Sequence, residues 1–297
     1  MVSRPTSWDS NQRGKARDVL GRLGFEVIPF KKTEEAVLAH VPVSVPLTVT
    51  ASPAKGQDTT VALAVALTAR GYAVTPHLSA QLVRDRAHLV DVVARCRDAG
   101  ITSAFVVGGD RSEDTTDFHD ALALLRSLQD LEHGFTDIGI GGHPEGHPAV
   151  SEEVLYEALK AKSEFATHIT TQIVFDPKAI LAWANEVKSR GIDLPIKIGV
   201  PGAVHRQKLL RVSTGLGIGQ SAAFLRKQQN MFWRFFLPGG YRPDKIIHGL
   251  TPHLGESTHS ISGFHVFSFN DLEPTEAWRR RFVESLGGKT AAIPREI

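Results

Sequence analysis

Glu26 lies in Gly24-Phe-Glu-Val-Ile-Pro-Phe30, at the end of the first strand-like run and just before a helix-like stretch. A carboxyl group at the carboxyl end of an early strand can act as a general acid or base, because barrel enzymes assemble their sites on that face. Polar residues recur at comparable places further along. His77 falls in Thr75-Pro-His-Leu78, Asp110 in Val107-Gly-Gly-Asp110, His143 and His147 in Gly142-His-Pro-Glu-Gly-His-Pro148, and Gln172 in Thr171-Gln-Ile-Val-Phe-Asp176. A lone histidine at one such place is most often a structural hydrogen-bonder, whereas several such side chains at successive strand ends form the pattern of an active site.

The elements that must position these residues are short valine- and isoleucine-rich runs alternating with longer amphipathic segments, the pattern of strand and helix units on a parallel sheet. Strands are expected at 24–29, 46–51, 73–77, 103–107, 137–140, 168–175, 196–200 and 265–269, and helices at 60–70, 84–99, 116–131, 151–164, 177–190 and 206–214. Gly71, Gly100 and Gly191 each follow the last turn of such a helix, where a left-handed residue ends it at little cost. The count of strands and the spacing favour an α/β fold of the (β/α)8 TIM barrel type, a single catalytic domain over 21–297 after a polar N-terminal segment at 1–20. A doubly wound sheet is the runner-up, and no Gly-x-Gly-x-x-Gly or Walker loop supports it. Gly215-Leu-Gly-Ile-Gly219 reads as a flexible connection, and the aromatic run Phe232-Trp-Arg-Phe-Phe-Leu237 as barrel packing that could in part cover a flat, ring-shaped ligand.

Composition removes whole classes of function. The 297 residues are 42% hydrophobic and 22% charged, enough for a large core. No run approaches the roughly 18–20 apolar residues of a membrane span, and residues 1–15 have no signal-peptide core, so a soluble, cytoplasmic protein with no membrane partner is expected. The net charge of +2 gives no electrostatic reason to expect nucleic acid, and the clusters 206–211 and 279–281 read as solvated helix faces. Cys96 is the single cysteine, read as a buried inert thiol, so neither an internal disulfide nor a thiolate metal cluster is possible. His143, Glu145 and His147 are spaced by two and flanked by Pro144 and Pro148, so they read as a turn rather than a metal-ligand set and no metal is expected.

The order of these segments resembles methylenetetrahydrofolate reductase. The family pattern Phe-Glu-Phe-Phe-Pro-Pro, Pro-His-Leu, Leu-Arg-Gly-Asp, Tyr-Pro-Glu-x-His-Pro and Thr-Gln-x-x-Phe-Asp recurs here in the same order, and the resemblance covers nearly the whole chain, from Phe25 to about Phe269. The resemblance implies an eight-stranded barrel that reduces 5,10-methylenetetrahydrofolate to 5-methyltetrahydrofolate, a step of one-carbon metabolism, with hydride from NADH or NADPH. It implies Glu26 as the catalytic acid, Asp110 as the charge beside flavin and folate, and Gln172 and Phe224 as folate-binding residues. Thr50, His77, Asp110, His143, His147 and Lys162 match positions that hold the flavin, FAD, and its phosphates.

The departures are informative. Gly108 stands where the family has arginine, His143 where it has tyrosine, and Phe30 where it has the second proline. Glycine cannot replace a guanidinium paired with a phosphate, which puts FAD in doubt and leaves two routes, hydride relay through FAD or direct transfer from the nicotinamide. A tetrahydrofolate-dependent methyltransferase or demethylase on the same barrel, a metal-dependent hydrolase, and a non-catalytic folate-binding protein stay open as alternatives. The nicotinamide preference and the oligomeric state have no marker in the sequence.

Overall fold

The computed structural model describes residues 8–109, 116–147, 150–204 and 243–290. Strands β1 Gly24–Val27, β2 Leu47–Val49, β3 Val74–Ser79, β4 Ser103–Val107, β5 Asp137–Gly142, β6 His168–Thr171, β7 Ile196–Pro201 and β8 Ile261–Phe267 close into one parallel barrel in chain order. The expected (β/α)8 architecture is the one observed. The barrel shuts where β1 pairs with β8, with Glu26 opposite Phe267 on one side and opposite Thr48 of β2 on the other.

Side chains of a strand alternate between faces, so one series in each strand points into the barrel and the other toward the helices. Phe25, Val27, Leu47, Val49, Ala104, Val106, Ile138, Ile140, Ile196 and Ile198 are buried and apolar. The alternate series is polar and includes Glu26, Thr48, Thr75, His77, His168, Lys197 and His265. Glu26 of β1 and His77 of β3 approach across β2, which only the interior of a closed sheet permits. Small residues make room there, since a Cβ on Gly139 would come within 2.6 Å of both His168 Nε2 and Phe105 Cδ2.

The helices are α1 Ser10–Gly21, α2 Thr33–His40, α3 Gly56–Ala69, α4 Arg86–Asp98, α5 Ala121–Gln129, α6 Glu152–Ser163, α7 Pro177–Ser189, α8 Asp244–Leu250 and α9 Leu272–Ser285, with a 3-10 turn at Thr251–His253. Aspartates start several of them. Asp85, Asp120 and Asp176 accept from backbone N–H groups of the first turns of α4, α5 and α7. Gly71, Gly100 and Gly191 have φ of +90°, +74° and +76°, the left-handed helix ends expected of them. Among the described residues no helix is long and apolar enough to cross a membrane.

Several boundaries and elements differ from the sequence expectation. β8 begins at Ile261 rather than 265, because Ser262 and Gly263 dilute its apolar signal. α5 starts at Ala121 rather than 116, because Asp120 caps it. α1 lies within the segment read as polar; its capping box pairs Asp9 with Gln12, and it buries only Ala16 and Leu20. Arg279 is not on a solvated face. It is buried in α9 and forms two 2.7 Å bonds to Glu276, itself buried. Cys96 is fully buried in α4, and burial pushes its thiol up to about 11. The segments expected at 206–214, Gly215–Gly219 and Phe232–Leu237 lie outside the described residues.

The two ends of the barrel are held differently. At the amino-terminal end His168 Nδ1 is 2.9 Å from Asp137 Oδ1, and its Nε2 is 3.2 Å from Lys197 Nζ. The hydrogen bond from His168 lowers the Asp137 carboxyl, and burial lowers the Lys197 ammonium. At the carboxyl-terminal end Asn270, in the left-handed region at φ +56°, ties the chain after β8 to the chain after β1. Its Oδ1 accepts from Ile28 N–H at 2.8 Å, and its Nδ2 donates to Ile28 O and Thr33 Oγ1, both at 2.9 Å.

Asn270→Ala removes three buried bonds and places a methyl-bearing residue at positive φ. Urea unfolding is expected to show a loss of about 1–3 kcal/mol with the slope unchanged. A loss below about 0.5 kcal/mol, the range of an inert surface change, would show that the clip does not hold the barrel closed.

Candidate active site

The carboxyl-terminal rim gathers a polar cluster around Glu26. Its Oε2 lies 3.5 Å from His77 Nε2 and 3.5 Å from His265 Nε2, and its side chain is only 13% exposed. His77 is buried against Phe105, with ring centroids 4.8 Å apart, and its Nδ1 lies 3.2 Å from Thr50 Oγ1. Gln57 of α3 fixes the end of β3 by donating to His77 O at 2.7 Å and accepting from Ser79 N–H at 2.9 Å. Ser268 donates to the carbonyl of Glu26 itself, so the backbone behind the carboxylate is tied to the chain that follows β8.

Burial pushes the His77 imidazole down to about 4, against the pull of Glu26 and with a further push from His265. The ring is therefore neutral near pH 7 and carries one proton. With Thr50 donating to Nδ1, that proton sits on Nε2 and faces a Glu26 carboxylate. With Glu26 protonated, the other tautomer lets Nε2 accept from the acid while Nδ1 donates to Thr50. The Thr50 hydroxyl, which can donate or accept, lets His77 face either state of Glu26 without becoming charged.

A second group lines a cavity of about 310 Å³ beyond the end of β5, between Gly141–Gly146 and the flanks of α6 and α7. His143, Lys162, Tyr156 and Trp183 line it. Residues 143–146 form the expected turn, with Gly146 at φ +77° and its N–H bonded to His143 O at 3.0 Å. Glu145 accepts from Phe175 N–H at 3.1 Å, which uses it to hold the loop after β6. The His143 and His147 rings meet edge to face at 5.6 Å. Burial pushes His143 down to about 4, helped by the charges of Lys162 and His147. Burial also lowers the Lys162 ammonium, against a smaller opposing pull from the charge of Asp120. Among the described residues no carboxylate stands within ion-pair distance of Lys162, so an anionic group in the cavity would complete its surroundings.

Gln172 ends the run through β6 at the same rim. It is exposed, with its N–H on Gly142 O at 2.8 Å and its Oε1 accepting from Ile173 N–H at 2.9 Å. Asp110 and Phe224 lie outside the described residues. Gly109 just before Asp110 must be glycine, having φ of +84° and a Cβ position 2.3 Å from Ser79 Oγ. A Cβ on Gly108 would meet only Ala121 N, at an ordinary contact distance of 4.0 Å, so no clash requires glycine there.

Thus Glu26, Thr50 and His77 come together as one group, and His143, His147 and Lys162 as another. Sequence reasoning missed His265 and Trp183. His265 sits in no motif, and its signal is a histidine between Phe264 and Val266, an alternation that points it inward. Trp183 packs on Gly142, where a Cβ would fall 2.7 Å from the indole.

Comparison with known proteins bears on what this rim does. A family model described as methylenetetrahydrofolate reductase matches residues 30–214. Methylenetetrahydrofolate reductase 1 of Schizosaccharomyces pombe is 29% identical over 115 residues, 36% of this chain and 19% of that protein. Methylenetetrahydrofolate reductase 2 of Saccharomyces cerevisiae is 25% identical over 153 residues, 47% of this chain and 22% of that protein. These alignments span about a fifth of the length of the curated relatives. Among solved structures, 2,3-dimethylmalate lyase is 10% identical with a TM-score of 0.43, covering 82% of this chain and 95% of that one, too remote to bear on function.

The neutral His77 is directly measurable. An NMR titration of the histidine rings, assigned through a His77→Asn variant, is expected to give His77 a midpoint near 4, where an unperturbed ring has 6.5. A midpoint near 6.5 would contradict the buried, uncharged ring described above.

Proposed function

The chain belongs to the methylenetetrahydrofolate reductase family, and from that premise we propose that it reduces 5,10-methylenetetrahydrofolate to 5-methyltetrahydrofolate with a hydride originating on NADH or NADPH. The observation that carries this reading is the Glu26 carboxyl group at the barrel rim, largely shielded from water and faced by two imidazoles at 3.5 Å.

The chemistry requires such a group. Breaking the bond between the bridging carbon and the 10-nitrogen leaves poor leaving-group nitrogen unless a proton reaches it, and a positioned acid supplies one. Glu26 gives its Oε2 proton to the 10-nitrogen as that bond breaks, leaving an iminium at the 5-nitrogen. Hydride addition to the iminium carbon then produces the methyl group. Methylenetetrahydrofolate, one proton and the reduced nicotinamide thus become methyltetrahydrofolate and the oxidised nicotinamide. His77 turns its Nε2–H toward the carboxylate that remains, and Thr50 completes the ring's other nitrogen. Gln172 is the residue assigned to the pterin, since an amide can donate to and accept from one heterocycle edge. In the same reading Asp110 sets the charge beside the reacting rings, and Phe224 packs on the folate.

The hydride carrier supplies the reducing equivalent when bound, and both FAD and a nicotinamide dinucleotide bring a diphosphate with it. Lys162, with His143 and His147 beside it, suits that shared anionic group. Gly108 in place of a guanidinium weakens the case for a tightly held flavin and favours direct transfer from the nicotinamide.

Glu26→Gln keeps the size and hydrogen bonding of the side chain and removes its acid. Turnover is expected to fall by at least about 100-fold while folate binding is retained, as measured by nicotinamide oxidation and by equilibrium binding. A near-normal rate in this variant would remove Glu26 from the acid role.

A further inference from the structure

At the opposite end of the barrel from Glu26, the connection into β8 brings together two histidines and a glutamate that play no part in the chemistry above. They lie outside the stretch matched by the family model. The 3-10 turn Thr251–His253 ends in His253, and Glu256 and His259 follow at steps of three before the strand begins at Ile261. His253 Nδ1 lies 2.9 Å from Glu256 Oε2, and His259 Nδ1 lies 3.2 Å from the same oxygen. One donor atom from each residue falls within 4.8 Å of the other two, and the two rings meet at 5.3 Å.

Two imidazole nitrogens and a carboxylate oxygen are a donor set suited to zinc and its first-row neighbours rather than to magnesium or calcium, which favour oxygen alone. A zinc-class ion sits about 2.0–2.2 Å from each such donor, so tetrahedral donors lie roughly 3.3–3.5 Å apart. The observed separations of 2.9 and 3.2 Å need to widen only slightly. The backbone already holds the three residues in a tight turn. His259 N–H and Ser260 N–H both reach Glu256 O, and Gly255 N–H bonds Ile261 O at 3.0 Å. Lys15 of α1 donates to Leu254 O at 3.1 Å, fixing the turn from a second element. Ser260, a non-glycine residue at φ +51°, marks a constrained bend. His259 is 12% exposed and Glu256 43%, which leaves one side open for water to complete the coordination. Thr258 Oγ1, now 2.9 Å from His259 Nδ1, would be displaced from that nitrogen.

We propose that His253, Glu256 and His259 form a binding site for a first-row divalent cation of the zinc class, which pins the turn leading into the closing strand of the barrel. The site is structural and stands apart from the rim where Glu26 lies.

The test uses the full chain after chelation and dialysis. Titration with Co(II), followed by its visible absorption and then by displacement with Zn(II), is expected to show one saturable site per chain. The double variant His253→Ala/His259→Ala should lose affinity by more than about 100-fold, beyond the cost of losing an outer-shell partner. Glu256→Gln, nearly isosteric, should lose at least about tenfold and serves where the double variant does not fold. Zn(II) at about a hundredfold over Kd should raise the Tm of the wild type by roughly 5 °C and leave the variants unmoved. Absence of saturable Co(II) absorption below about 1 mM, or equal affinity in wild type and a folded variant, would overturn the proposal.

Discussion

A closed parallel barrel places every second residue of each strand in an interior that water reaches poorly, and any polar group there must find its partner within the barrel. Here that interior series is unusually polar, and Glu26 is its most demanding member. Its surroundings follow from that demand. Two imidazoles from β3 and β8 face the carboxyl oxygen, Thr50 faces the second nitrogen of His77, and Gln57 braces the end of β3. Ser268 and Asn270 fasten the backbone of β1 and the residue beyond it from the other side of the seam. The closure of the sheet and the placing of the acid are therefore one arrangement, since the contacts that shut the barrel between β8 and β1 also orient Glu26.

The two ends of the molecule use similar residue types to different ends. At the amino-terminal end Asp137, His168 and Lys197 form a chain that fills the interior, each charge answered by a neighbour. Replacing such a chain with apolar residues need not cost stability, whereas removing one member would strand the others. Glu276 and Arg279 repeat the principle under α9, where a bidentate pair is sealed from water. At the rim the groups are instead left with open neighbours. Lys162 looks into a cavity without a carboxylate beside it among the described residues, and Gln172 is exposed. Within the barrel, the unanswered charge of Lys162 at the rim marks a place for a ligand, and the answered chain of Asp137, His168 and Lys197 a place for packing.

Much of this was legible beforehand, for physical reasons. All eight strands announced themselves through valine and isoleucine runs, because their outward faces are buried under helices. The structure brings Glu26, Thr50 and His77, expected from the sequence, into one cluster; His143 and Lys162 line one cavity, with His147 edge to face against His143. α1 is not foreseen, because it buries only Ala16 and Leu20 and the rest of its surface is charged or polar; α2 and α9 enter the sequence reading only as a helix-like stretch after Glu26 and a helix face at 279–281, without bounds. Arg279 looked like part of a solvated run because sequence shows its neighbours Arg280 and Arg281 but not Glu276 turning toward it one turn earlier. His265 and the His253, Glu256, His259 turn carry no motif, and their partners become visible only when the chain is folded.

What joins these observations is a family fold with a shielded carboxyl group, Glu26, and an exposed amide, Gln172, at one rim, and with glycine at position 108. The glycine at 108 is not required by a clash, since a Cβ there would come only within 4.0 Å of Ala121 N. For the reduction proposed above, the barrel would have to hold two flat rings face to face, keep water out and deliver one proton at the right atom. The direct test is nicotinamide oxidation by purified, flavin-free protein, with methylenetetrahydrofolate present or absent and FAD added in a parallel sample. The account predicts oxidation that depends on the folate, already without added FAD if transfer is direct; no folate-dependent oxidation in either sample would contradict it.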